Sequence, residues 1–114
     1  MDSRPLTERE RAVLEALLGV EFPGVEPLRR QAEAVVVVGT CGCGCPSIDF
    51  RHDRGRGMVI RVDAALPDSY DGLFLHTVDD PRQGEVLGGI EWVSVSDTDP
   101  AEFPPPELLD IRPA

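Results

Sequence analysis

At 114 residues the chain lies near the commonest single-domain size, long enough to bury roughly two thirds of its unfolded surface around one core. Acids outnumber bases 21 to 11, a net charge of −10, which opposes direct nucleic-acid binding because phosphate contacts need concentrated Lys or Arg. Apolar residues make up 41% of the chain, and no apolar run approaches the roughly 18 residues of a membrane span, so a soluble protein is expected.

The opening "MDSRPLTERE" has no positive region followed by an apolar stretch, so it does not read as a secretory signal, and a cytoplasmic location is expected. In the "LTERERAVLEALLG" that follows, Thr7 and Glu10 form a capping-box pattern, and Val13, Leu14, Leu17 and Leu18 recur on one face. This predicts a helix, with Gly19 as a left-handed terminator. A second, shorter helix is predicted within "GVEPLRRQAEA", where Pro27 suits the first turn. "AVVVV" then reads as a well-buried strand, and "SIDFR" as a strand with Ile48 and Phe50 on one face. "GMVIRVD" alternates through Met58, Ile60 and Val62.

The basic cluster Arg51, Arg54 and Arg56 is interrupted by Asp53 and lacks interleaved aromatics, which marks a solvated turn. "AALPDSYDG" has the composition of a surface connection. "GLFLHTV" and "GEVLGGIEWVSVS" flank "DDPRQ" and predict an antiparallel hairpin, with Gly88 and Gly89 marking a bulge or a close backbone approach. The architecture expected is α+β: two N-terminal helices on one face of a mainly antiparallel sheet of about four to five strands. One domain should span residues 1–97. Residues 98–114, a Pro-rich acidic tail, are expected to lie extended on the surface or partly disordered, unable to sustain a ladder, with Phe103, Leu108 and Leu109 as anchors.

The most distinctive motif is "VVVVGTCGCGCPSIDF", with Cys41, Cys43 and Cys45 separated by single glycines. Without an export signal these are expected to be thiols or thiolates. A flat strand would space them roughly 6.6 Å apart, whereas tetrahedral zinc wants sulfurs about 3.8 Å apart. Chelation therefore requires the glycines to curl the run. Cys41, Cys43, Cys45 and His52 could then supply four ligands to zinc or Cu(I). The competing reading is structural: cysteine behaves as a small hydrophobe, and alternation with glycine gives a narrow strand, a strand edge or a bend before Pro46. A regulatory disulfide, Cys41–Cys43 or Cys43–Cys45, is a third possibility.

A nucleophilic site would combine a cysteine with His52 or His76 and with Asp49, Asp53 or Asp79, but no nucleophile elbow, phosphate-cradling loop or His-Glu-x-x-His pattern supports one. "CGCGCPSIDF", with two helices before it and the "FLH" and "IEWV" strands after it, resembles a run in small uncharacterised proteins of GC-rich actinobacteria. That resemblance implies no activity, cofactor or site residue. The expectation is a small acidic non-catalytic protein-interaction module without cofactor, of the kind an immunity protein or antitoxin-like inhibitor would be, with a basic protein as partner. The alternative is a thiolate metal-binding module on the cysteine cluster.

Overall fold

The capping box forms as predicted. Thr7 Oγ1 accepts the Glu10 N–H at 3.1 Å, Glu10 returns a carboxylate oxygen to the Thr7 N–H at 2.9 Å, and α1 runs Glu8–Leu17. The structure, a computed structural model, describes residues 3–42, 44–52, 57–67, 69–95 and 99–114. Gly19 is not a left-handed cap; Leu18 closes the helix in the right-handed region, its N–H bonded to Leu14 at 3.0 Å. α2 (Val25–Ala32) follows, turning Val25, Leu28 and Ala32 inward.

Among the described residues six strands follow: β1 (Gly39–Thr40), β2 (Ile48–Asp49), β3 (Val59–Ala65), β4 (Gly72–Asp80), β5 (Gly84–Val93) and β6 (Asp110–Pro113). They form one sheet in the order β1-β2-β5-β4-β3-β6, antiparallel throughout, with one strand more than the upper expectation. The extra strand comes from the tail. Pro113 costs nothing there, because an edge strand needs to hydrogen-bond on one side only. The tail is therefore not laid extended over the surface. Phe103 is 1% exposed in the core, residues 106–108 form one 3-10 turn, and β6 pairs with β3. Of the other expected anchors, Leu109 packs on the core and Leu108 is exposed. Residues 96–98, where the expected domain boundary falls, lie outside the described residues.

The helices cover one sheet face. Val13, Leu14, Leu17, Val25 and Leu28 share a single core with Ile48, Val62, Leu75, Leu87 and Ile90. Gln31 pins α2 to β5 at both ends of its amide, donating to the Glu85 carbonyl at 3.1 Å and accepting the Leu87 N–H at 2.9 Å. Among the described residues no helix is long and apolar enough to cross a membrane.

Two strand expectations needed correction. Among the described residues the valine run pairs through a single Arg4–Val37 bridge, with the two-residue ladder following at Gly39–Thr40, and Val37 is buried while Val36 is exposed. In β3 a bulge between Ile60 and Val62 breaks the alternation. Val62 and Ala64 point into the core and Ile60 to the other side, 41% exposed.

Candidate functional site

The cysteine run does not continue the β1 strand. The Gly44 N–H approaches the Cys41 carbonyl at 3.4 Å, and Gly44 adopts φ +95°, a backbone that glycine accepts at little cost. Gly44 therefore bends the run between β1 and β2, the condition that chelation set and that the structural reading also allowed. Cys41 is disulfide-bonded, which corrects the expectation of thiols at that position. Its sulfur is not a thiolate donor while that bond stands. Cys43 lies outside the described residues. Cys45 is a free, half-buried thiol that packs against the core and donates to Ser47 Oγ at 3.3 Å. His52 sits on an exposed bend beyond β2. Among the described residues no group of three His, Cys, Asp or Glu side chains is placed to hold a metal ion.

Cys45 opens onto a cleft of about 260 Å³ lined by Arg4, Thr7, Glu10, Thr40, Ser47 and Phe103. Glu102 also lines it, paired with Arg9 at 3.4 Å, and Arg4 and Glu10 pair with each other. Arg4 donates to both Glu10 carboxylate oxygens, at 2.8 and 2.9 Å. Burial pushes the Glu10 pKa up, but the Arg4 bonds and the Thr7 N–H outweigh it and hold the carboxyl below its ordinary range. The Ser47 hydroxyl is committed to structure, accepting the buried Trp92 N–H at 2.8 Å. Besides the Thr40 hydroxyl and the Glu102 carboxylate the cleft offers a ligand one thiol, with no imidazole in its lining to activate it.

On the sheet face away from the helices, the registers align Gly39, Asp49, Gly89, His76 and Ile60 in one row across five strands. The β4–β5 register shift opposite Gly88 is the bulge the glycine pair predicted. His76, 7% exposed, lies against both glycines. A Cβ built on Gly88 would stand 2.6 Å from its Cδ2 and one on Gly89 3.0 Å from its Cε1, with Asp49 Oδ1 at 3.3 Å. Two members of the weighed catalytic set, His76 and Asp49, thus converge over Gly89. Cys45 packs on the helix-side core instead, and Asp79 is exposed beside Gly57, so among the described residues the set is not assembled. Asp53, Arg54 and Arg56 lie outside the described residues, and Arg51 pairs with Asp80 at 2.5 Å.

Farther along the same face, Asp63, Phe74 and Glu91 stand side by side on β3, β4 and β5, and Ala65, Gly72 and Val93 form the next row. Tyr70, from the loop before β4, completes a cleft of about 540 Å³ with Phe74, Val93, Asp63, Asp71 and Asp110. Val93 is 46% exposed and Tyr70 87%. Strand alternation already separated Phe74 from Leu73 and Leu75, and Val93 from Trp92. Apolar residues on both faces of β4 and β5 are the sequence signal of this cleft.

No protein-family model, curated protein or solved structure matches the chain.

Proposed function

We propose that the chain is a non-catalytic protein-interaction module whose partner presents a basic surface, bound on the sheet face opposite the helices. One observation carries this reading: Ile60, Val93 and Tyr70 are exposed on or beside that face among the carboxylates of Asp63, Asp71, Glu91 and Asp110. Exposed apolar groups framed by charge are the usual anatomy of a docking surface, a core that gains by losing water inside a polar rim. The net charge of −10 adds a long-range field that speeds encounter with a cationic partner and slows encounter with an anionic one. An inhibitor of a basic protein, as immunity proteins and antitoxins are, fits this size and charge.

The separation of Cys45 from His76 and Asp49 supports the non-catalytic half of the proposal. Copurification at low salt, followed by reconstitution from purified components, tests the whole. The expected result is a basic protein whose affinity falls steeply with added salt. Recovery of no basic protein, or a partner whose binding ignores salt, would overturn it.

A further inference from the structure

We infer that the cleft formed by Tyr70, Phe74 and Val93 is the anchor point of this surface, and that it receives a partner segment carrying an Arg or Lys beside an apolar side chain. The inference rests on the interaction reading above. Register places Phe74 directly between Asp63 and Glu91 on the neighbouring strands, and cross-strand neighbours stand roughly 5 Å apart at Cβ. A cation laid against that ring meets a carboxylate on either side, while Arg112, the neighbour of Asp63 on the edge strand, pairs with Asp110. Other charges at the cleft are already engaged: Arg112 holds Asp110 at 2.8 Å, and Asp71 accepts the Val95 N–H at 3.2 Å.

In the next row Gly72 is closed off by the Ala64 carbonyl, which would stand 2.5 Å from a Cβ there, and the room for an apolar side chain is the cleft against Val93 and Tyr70. With only two side-chain torsions Tyr70 gives up little conformational freedom on binding, and at 87% exposure its ring contributes a large contact area. A second copy of the chain is a poor occupant, because each would bring acids outnumbering bases 21 to 11 to an acidic rim.

The test is titration of the full chain with a labelled peptide of alternating Leu and Arg, read by amide chemical shifts and fluorescence anisotropy, beside Leu–Glu and Gly–Arg peptides. Shifts should centre on Tyr70, Phe74, Glu91 and Val93, with the Leu–Arg peptide bound best and the Leu–Glu peptide not at all. Tyr70→Ala and Val93→Ser, both at exposed positions, should each weaken binding about tenfold. Asp63→Asn should weaken it less and flatten its salt dependence. Unchanged spectral dispersion shows that a variant has kept its fold. Leu–Arg binding indifferent to Tyr70→Ala and Val93→Ser would overturn the anchor while leaving a basic partner in place. Failure of both Arg peptides to bind would count against the anchor and the broader reading together. Self-association that Val93→Ser abolishes would make the occupant a second copy and overturn the inference.

Discussion

Arg4 grips Glu10 through two parallel hydrogen bonds, one from each terminal guanidinium nitrogen. The same carboxylate caps α1, so one buried acid ties the chain entry to the first helix. Its folded-state pKa lies below the ordinary value of 4.5. The stabilisation it provides is therefore complete above that pH and is lost as pH falls through the folded value. Glu85, where Arg61 and Thr77 outweigh burial, acts with the same sign, as does Asp80 under the Arg82 and Gln83 N–H groups. Glu10→Gln is expected to cost on the order of 1–3 kcal/mol at pH 7. The loss should shrink at pH 3. Urea melts at both pH values check this, and an equal loss at each would show that charge is not the cause.

The glycine pair beneath His76 separates two kinds of crowding. A Cβ at Gly88 meets mainly the imidazole, whereas one at Gly89 would stand 2.5 Å from the Ile48 carbonyl oxygen, which is backbone. Gly88→Ala is expected to cost about 1–3 kcal/mol and to be partly relieved when His76 is also replaced by Ala. Gly89→Ala should find no such relief. A double-mutant cycle by thermal melting distinguishes them, since only the first pair should couple.

Ser47 links the cysteine loop to β5 through the Trp92 N–H. Ser47→Ala leaves that donor buried without its acceptor, with an expected loss of about 1–3 kcal/mol. Cys45→Ala keeps the acceptor and should cost less. Trp92 fluorescence during unfolding reports both.

Phe103 tests how firmly the proline-rich segment belongs to the fold. At 1% exposure within the shared core, Phe103→Ala should cost about 3–5 kcal/mol. Leu108→Ala, at an exposed position, should be close to neutral. Similar small losses at both would mean that the segment is only loosely held.

The helices, the hairpin and the diglycine bulge were legible in the sequence because each is set by local chemistry: a cap, a turn, a missing side chain. β3 was misread because a bulge at Arg61 shifts the period in mid-strand, and nothing in "VIRVD" announces it. The tail was misread because Pro113 argues against a ladder only where both strand edges are paired, and edge position is a property of the whole sheet. The cysteine run was legible as a condition: Gly44 bends it, but the covalent state of Cys41 is not encoded by spacing. The cleft at Tyr70 needed a three-dimensional view, since Tyr70, Phe74 and Val93 share no local pattern.

Arg9 donates to the carbonyl of Phe103 at 2.9 Å across 94 positions of chain, and β6 completes the sheet later still. A ribosome adding roughly 5–20 residues per second would deliver Phe103 about 5–20 s after α1 is made. During synthesis the first helix therefore waits, part of its apolar stripe unshielded, for the segment that finishes its burial. In that interval the apolar stripe of α1 is the nascent chain's exposure to aggregation.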